Sequence, residues 1–202
     1  MCIRDRYITF VTKGGIIKRS ERDLFGNIRA TGIVAINLDE DDELISVYLT
    51  DDHEEIITTT KKGKAIRIKA SDIRPSGRTA RGVKLITLDK DDSVVSSDPV
   101  MQNAKLLSIS EKGYGKATSI EEYKCQSRGG KGLITYKVTK KTGDVATSLV
   151  IYESKDLLLI SSSGTIIRID ADGIRETGRA TSGVKLMDLV DETIVSAIQT
   201  EE

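Results

Sequence analysis

The sequence predicts an all-β protein built as a propeller-like array of four similar blades. Glycines of two kinds recur about every 50 residues, which is typical of a repeat array. The first series is Gly14, Gly63, Gly113 and Gly164, and the second is Gly32, Gly82, Gly132 and Gly183. The segments between them are rich in β-branched residues and show almost no helical periodicity. Because a single four-stranded sheet leaves one face wet, neighbouring blades must stack to bury their faces.

The second repeat shows the predicted elements most clearly. A β-branched strand is followed by a glycine turn and a returning strand. A polar loop, a third strand, an acidic turn and the start of a fourth strand follow. In chain order these elements are Glu55–Thr60, the turn at Lys62-Gly63, Ala65–Ile68, the loop Ser71–Arg81, Val83–Leu88, the turn Asp89–Asp92 and Ser93–Ser96.

The other repeats follow the same plan of four strands each. The predicted strands are Tyr7–Val11, Gly15–Lys18, Ile33–Leu38 and Glu43–Leu49; Leu106–Ser110, Gly115–Thr118, Leu133–Val138 and Val145–Ile151; and Leu157–Ser161, Thr165–Ile169, Val184–Leu189 and Thr193–Ile198. The blades are therefore placed at residues 7–54, 55–104, 105–155 and 156–202 of one repeat-array domain. Residues 1–6 match no repeat, and we interpret them as a non-native segment that replaces the upstream part of the protein.

The composition argues against several kinds of site. Cys2 and Cys125 lie far apart without the spacing of a zinc site or a disulfide framework, which favours a reducing cytoplasm. No apolar run approaches the roughly 18 residues of a membrane span, and no signal peptide is visible. His53 stands alone, and the acidic clusters Asp39–Glu43 and Asp89–Asp92 lack the pattern of a calcium loop. We expect no metal site, no cofactor and no catalytic residue in this chain.

The zero net charge conceals a separation of charge within the repeat. Nine basic residues and the single acid Asp72 lie between Lys61 and Lys84, whereas nine acids and no Lys or Arg lie between Asp39 and Glu55. Because equivalent positions of stacked blades line up, the basic segments should form a band, and the acidic turns should project elsewhere. A basic band is the electrostatic signature of a surface for a polyanion, and duplex DNA is the favoured one. The competing interpretation is that these charge runs are ordinary solvated loops.

The candidate DNA-binding residues are the cations that return at this phase of the repeat: Lys18, Arg19, Arg29, Lys61, Lys62, Lys64, Arg67, Lys69, Arg74, Arg78, Arg81, Lys84, Lys116, Arg128, Lys131, Arg168, Arg179 and Lys185. The loop of Gln126, Arg128, Gly129, Gly130, Lys131 and Gly132 is the strongest single case, because it offers two cations and main-chain N–H donors to phosphate. Acids nearly balance the cations in the fourth repeat, so we expect the second repeat to contribute most to binding and the fourth least.

Several stretches resemble the C-terminal domain of the DNA gyrase A subunit. They are Gly63-Lys-Ala-Ile-Arg67, Asp72-Ile-Arg-Pro-Ser-Gly-Arg-Thr-Ala-Arg-Gly-Val-Lys84, Gly113-Tyr-Gly-Lys116 and Gly178-Arg-Ala-Thr-Ser-Gly-Val-Lys185. The resemblance covers about residues 7–202 and implies a β-pinwheel, a disc usually of six blades that exchange strands, of which this chain holds the last four. It also implies that duplex DNA wraps around the basic rim and supports ATP-dependent negative supercoiling by a type IIA topoisomerase.

The resemblance implies further that the catalytic tyrosine, the cleavage domain and the ATP- and Mg²⁺-using parts lie outside this chain. The implied partners are double-stranded DNA, the gyrase B subunit and a second gyrase A subunit, in the bacterial cytoplasm with the chromosome and not at a membrane. Two departures are visible. Gln126-Ser-Arg-Gly-Gly-Lys-Gly132 differs from the family's basic box at Ser127 and occurs in the third visible blade, and Ala117 stands where the family usually has a basic residue.

Two other functions remain open from the sequence. The related A subunit of topoisomerase IV has a more degenerate disc, and the regular period and the intact arginine–glycine loops here favour gyrase. A propeller used as a scaffold for protein interactions is the alternative from another class. The absence of WD and kelch signatures and the regular basic band argue against it.

Overall fold

The computed structural model describes residues 6–28, 30–152 and 155–200, and its repeating unit is an antiparallel hairpin with a third strand added. The strands are β1 (Tyr7–Thr12), β2 (Ile16–Glu21), β3 (Leu44–Thr50), β4 (Glu55–Thr60), β5 (Lys64–Lys69), β6 (Val83–Lys84), β7 (Val94–Val100), β8 (Lys105–Ser110), β9 (Tyr114–Ser119), β10 (Leu133–Ile134), β11 (Val145–Ile151), β12 (Asp156–Ser161), β13 (Ile166–Asp170), β14 (Val184–Lys185) and β15 (Ile194–Gln199). Short 3-10 turns follow the second strand of each hairpin at Arg22–Phe25, Ala70–Asp72, Ile120–Glu122 and Ala171–Gly173. The predicted all-β, propeller-like class is confirmed.

Neighbouring repeats exchange strands, which the repeat pattern alone did not predict. The strand orders are β3-β1-β2-β6, β7-β4-β5-β10, β11-β8-β9-β14 and β15-β12-β13. The two-residue strands β6, β10 and β14 each join the sheet of the preceding repeat, which agrees with the exchange of strands that the resemblance implied. Three of the predicted third strands are too long, and Ile33–Leu38 forms no strand.

The exchanged strands are short because the chain curls over the hairpin turn of the blade it joins. After Lys84, the N–H groups of Leu85 and Ile86 both approach the carbonyl of Gly15, at 2.8 and 3.4 Å. Leu85 and Ile86 are both buried, whereas successive residues of a strand point to opposite faces. The same arrangement recurs in the two following repeats, where paired N–H groups approach the carbonyls of Gly63 and Gly113.

The structure of the hairpin turns shows that one glycine of the first predicted series is the wrong residue. Gly15, Gly63, Gly113 and Gly164 have φ values of +79°, +79°, +78° and +88°. The N–H of Gly15 closes its turn on Thr12 O at 3.0 Å, as Gly63 does on Thr60 O. Gly14 instead donates to Asp42 Oδ1 at 2.7 Å, the role that Lys62 has towards Asp92. Gly15, not Gly14, is therefore the equivalent glycine, because only this position needs a left-handed backbone.

The hydrophobic core lies between blades and not within any one of them. One cluster joins the first two blades through residues such as Ile17 and Ile66. A second joins the middle blades through Ile57 and Leu106, and a third joins the last two through Leu107 and Leu159. On the inner side of the array β3 contacts β7, β7 contacts β11, and β11 contacts β15. In the first three sheets the opposite edge, which is formed by β6, β10 and β14, is therefore the outer one.

Candidate nucleic-acid interface

The predicted basic loops lie on the outer edges of the blades. The loop that leads into β6 packs along β2, where Ser76 N donates to Arg19 O at 2.9 Å. The loop that leads into β10 packs along β5 in the same way, with Gln126 N on Arg67 O at 2.7 Å. Thr177 N, in the loop leading into β14, donates to the carbonyl of Ala117 in β9 at 2.9 Å. Each loop thus covers the outer edge of the blade before it.

These loops also contact one another, so they form a continuous surface, which we call the rim. Thr87 N donates to Gly130 O at 2.8 Å, which joins the second and third repeats. The equivalent Lys137 N donates to Thr181 O at 2.9 Å and joins the third and fourth. The rim places Lys84 next to the box-like loop, because Gly129 N donates to Leu85 O at 2.6 Å.

Six of the predicted cations lie on the rim with no ion pair among the described residues. Their side chains are exposed, except that of Arg78, which is half-buried and approaches Val34 O at 3.5 Å. These six are Lys69, Arg74, Arg78, Lys84, Arg128 and Lys131. Since none of the six is held in an ion pair there, although the charge of Lys131 acts on the Asp89 carboxylate, they are the residues best able to contact a phosphate backbone.

Eight further predicted cations form ion pairs with carboxylates. The pairs are Lys61 with Glu111 and Asp144, Lys62 with Asp144, Lys64 with Asp89, Arg67 with Glu55, Arg81 with Asp39, Arg168 with Asp156, Arg179 with Glu122 and Lys185 with Asp188. The expectation that the acidic turns project away from the basic segments is therefore wrong. Asp39 and Asp89 belong to those turns, and folding brings them to Arg81 and Lys64.

Lys18, Arg19 and Lys116 are buried, which corrects their assignment as DNA-binding residues. Lys116 Nζ donates to Gly178 O at 2.7 Å and to Arg179 O at 2.6 Å. Lys18 Nζ donates to Ala35 O at 2.6 Å and to the carbonyl of Arg78. Both ammonium groups hold main-chain carbonyls of loops on their own blade's outer edge, and neither faces solvent.

Burial also changes the titration of these two lysines. Desolvation, aided by the nearby charge of Arg78, lowers the pKa of Lys18 to about 8. Desolvation likewise lowers the pKa of Lys116 to about 8, with Glu122 opposing and Arg179 adding to the shift. Withdrawal from water disfavours the charged form of an amine, which is the cause in both cases.

Arg19 and Arg67 act between blades, a role that the sequence did not reveal. The fully buried Arg19 donates from Nη1 to Ala70 O at 2.5 Å and Ile73 O at 3.3 Å, and from Nη2 to Asp52 at 2.7 Å. Arg67 donates to the carbonyls of the next 3-10 turn, Ile120 O at 2.9 Å and Tyr123 O at 3.2 Å. Both residues clamp a 3-10 turn of the following repeat. One signal in the sequence could have indicated this role. Alternate residues of a strand share a face, so Arg19 lies on the same face of β2 as Ile17, which is buried.

The box-like loop 126–132 is held more firmly than its sequence suggested. Gly129 adopts a φ of +80°, but its N–H is bonded to Leu85 O and is not open to phosphate. At Gly132, which has a φ of +69°, an added Cβ would lie 2.7 Å from Ala65 O. The glycines of this loop therefore let it pack on the rim, while Arg128 and Lys131 remain exposed.

Two sequence interpretations fall outside the described residues. Arg29 and residues 1–5 of the proposed non-native segment are not described. Within the ranges that are described, no three His, Cys, Asp or Glu side chains gather as metal ligands would. In the same ranges, no helix is long and apolar enough to cross a bilayer.

Four blades that exchange strands with their neighbours and carry a basic rim define a known structural class, the propeller-like discs. The family model of the DNA gyrase C-terminal domain, beta-propeller, matches residues 6–51, 54–101, 104–151 and 155–201. The matched segments account for nearly all of the sequence, so the chain belongs to this family.

Similar proteins and structures agree with this assignment. The DNA gyrase A subunit of Clostridium acetobutylicum is 52% identical over 183 residues, which are 91% of this chain and 22% of that protein. The protein of the same name from Haloquadratum walsbyi is 44% identical over 198 residues, or 97% of this chain and 23% of its own length. This chain therefore spans about a fifth of the curated relatives that it matches.

Two solved structures share the fold. The structure of a DNA gyrase A C-terminal domain superposes with a TM-score of 0.89 at 29% identity, covering 97% of this chain and 66% of the other. The crystal structure of a topoisomerase IV C-terminal domain has a TM-score of 0.92 at 24% identity, covering 98% and 62%. The second likeness concerns the fold alone.

Proposed function

We propose that the chain binds duplex DNA with little sequence preference, mainly through phosphates, and that the DNA wraps along the rim. The observation that carries this proposal is the set of six rim cations that form no ion pair among the described residues. Lys and Arg side chains that replace counterions along the backbone supply most of the affinity of non-specific binding. The helical segments described here are 3-10 turns of three or four residues, which are too short to read a major groove.

The second repeat and the box-like loop carry most of this contact in our proposal. Lys69, Arg74, Arg78 and Lys84 come from the second repeat, and Arg128 and Lys131 from the third. In the fourth repeat, by contrast, the three predicted DNA contacts Arg168, Arg179 and Lys185 each pair with a carboxylate. Exposed pairs contribute little to stability, but they reduce the charge available to DNA.

In the whole protein, the wrap would present a second duplex segment to the cleavage core with fixed handedness. That geometry would convert ATP-driven strand passage into negative supercoiling, together with the gyrase B subunit and a second gyrase A subunit in the bacterial cytoplasm. ATP and Mg²⁺ would be used by those other parts of the enzyme. The relatives that share 44–52% identity and are called the A subunit of DNA gyrase support gyrase over topoisomerase IV.

The DNA-binding proposal is tested by titrating two unrelated duplexes of equal length with the chain at several salt concentrations. Similar affinities are expected for both duplexes, and log affinity should fall linearly with log salt. An affinity that does not respond to salt, or strong preference for one duplex, would contradict binding through phosphates. No measurable binding at low salt would instead favour a scaffold for protein interactions.

The proposed place in gyrase is tested with a full-length gyrase A subunit that carries this domain, assembled with the gyrase B subunit. Relaxed plasmid should become negatively supercoiled when ATP is present. Substituting Lys69, Arg74 and Lys84 with Ala should reduce supercoiling while DNA cleavage by the core persists. Efficient decatenation without supercoiling by the unmodified enzyme would identify a topoisomerase IV activity instead.

A further inference from the structure

The blade junctions share one position at which a cation is either present or missing. Arg19, Arg67 and Ala117 each pair with the third residue of the preceding strand of their hairpin, so they occupy the same place in their blades. At the first two junctions the arginine donates to two carbonyls of the next 3-10 turn, at 2.5–3.3 Å. At the third junction an alanine stands in their place.

A cavity of about 170 Å³ opens at the third junction, between blades 3 and 4. Its walls include Ala117, Ala171 and Ile174, which correspond to Arg19, Ala70 and Ile73 at the first junction. The 3-10 turn keeps its form, because Ile174 N donates to Ala171 O at 3.1 Å, as Ile73 N does to Ala70 O. Among the described residues, no side chain donates to either carbonyl as the arginines do. The two residues whose counterparts supply the acceptor carbonyls of the clamp therefore line the cavity, while the arginine donor is missing.

The charges at this cavity are compatible with a cation. Lys105 lines it, but the Lys105 ammonium is paired with Glu176 at 2.9 Å. Asp172 also lines the cavity, and no ion pair of Asp172 is present among the described residues. Its exposed carboxylate is the unneutralised charge of the lining. A volume of this size exceeds that of a single water, whose share of the liquid is about 30 Å³.

We infer that the cavity between blades 3 and 4 is a binding site for a guanidinium group. The source is a small guanidino compound or an arginine side chain of another protein segment. A planar guanidinium presents its N–H donors in a fixed fork, which matches two carbonyls held in place by a turn. Occupation of the site would restore the clamp that the first two junctions contain and would link the last blade more firmly to the third.

Binding is tested with the 202-residue chain by following backbone amide signals in NMR during titration with methylguanidinium. Saturable shifts are expected at Ala117, Ala171 and Ile174, with a dissociation constant on the order of millimolar for so small a ligand. Methylammonium is the control with the same charge as methylguanidinium, and urea is the control with a similar planar shape. Both should bind several-fold more weakly. A short peptide that contains arginine replaces methylguanidinium in a parallel titration and distinguishes a protein source from a small molecule.

Two variants test whether methylguanidinium binds in the cavity itself. Ala117→Met should fill the space and abolish the shifts at Ala171 and Ile174, while the remaining amide signals show an intact fold. Arg67→Ala should open a second site of the same kind beside Glu55, and methylguanidinium should raise its melting temperature more than methylammonium does. Shifts that do not saturate, or saturable binding that persists in Ala117→Met, would overturn the inference.

Discussion

Gly82→Ala is the substitution for which the structure specifies the consequence most closely. Gly82 has a φ of +104°, and it immediately precedes β6, the strand donated to the neighbouring blade. A Cβ at this position would lie 2.6 Å from Ile17 O and 2.9 Å from Ile16 Cγ2. Because Ile17 O is main chain of the blade that receives β6, no side-chain rotation relieves the contact.

The expected cost has two parts. A non-glycine residue in this backbone region costs about 1–3 kcal/mol. The short contact adds to this if β6 must move away from Ile16 and Ile17, since each lost hydrogen bond costs about 1 kcal/mol. For a domain of this size, the backbone part alone lowers the melting temperature by about 2–12 °C.

Substitutions at two other glycines separate the backbone cost from the cost of the short contact. Gly32 has a φ of +76° but nothing within 4 Å of an added Cβ, so Gly32→Ala tests the backbone cost alone. Gly77 has neither a positive φ nor a near neighbour, so Gly77→Ala should leave stability almost unchanged. The expected order of destabilisation is Gly82→Ala, then Gly32→Ala, then Gly77→Ala.

Thermal melting and DNA titration of the same three proteins test this reasoning. Gly82→Ala should melt at a lower temperature than the unmodified chain. If Gly82→Ala instead kept the original melting temperature and lost only DNA affinity, the glycine would serve the close approach of DNA and the structural explanation would be refuted.

Two pH-dependent effects follow from buried groups. In the native state Lys18 and Lys116 each have a pKa of about 8, whereas a lysine of the unfolded chain has a pKa of about 10.5. The unfolded state therefore binds more protons between these pH values, and the stability of the fold should rise with pH across this range. A Lys18→Met, Lys116→Met protein melted in parallel should lack that rise. Burial raises the pKa of Asp98 to about 6 from 3.8, so its stabilising contribution is complete below pH 3.8 and is lost as the pH rises through 6. Asp98→Asn should melt higher than the unmodified chain at about pH 7 and at nearly the same temperature at about pH 3.5, and an equal difference at both pH values would contradict this assignment.

The repeat, the hairpins and the outer loops could be predicted from sequence because they depend on local signals. β-branched runs favour strands, and a glycine between two of them permits the turn. The strand exchange could not be predicted in this way. Val83 and Lys84 look the same whether they pair with their own repeat or with Ile16 and Ile17 of the preceding one. Register and partner depend on packing between blades, which a single repeat does not encode.

Only part of the candidate site could be predicted from the sequence, because the rest again depends on contacts between repeats. The basic phase of the repeat does lie on the rim, but the sequence does not show which cations are neutralised. Arg81 and Asp39 are far apart in the chain and become partners only when the loops of adjacent repeats meet. Lys116 looks like any strand lysine, and its burial depends on a loop that begins in the next repeat. DNA binding by the remaining rim cations stays a prediction.

The most direct test of the central claim compares the salt dependence of DNA affinity for two triple variants. One replaces the unpaired rim cations Lys69, Arg74 and Lys84 with Ala, and the other replaces the paired Arg168, Arg179 and Lys185. Each lost phosphate contact should reduce the slope of log affinity against log salt by about 1. We expect a slope lower by about 3 for the rim variant and little change for the paired variant. Equal losses in both variants, or a larger loss in the paired one, would contradict DNA binding by the unpaired cations of the rim.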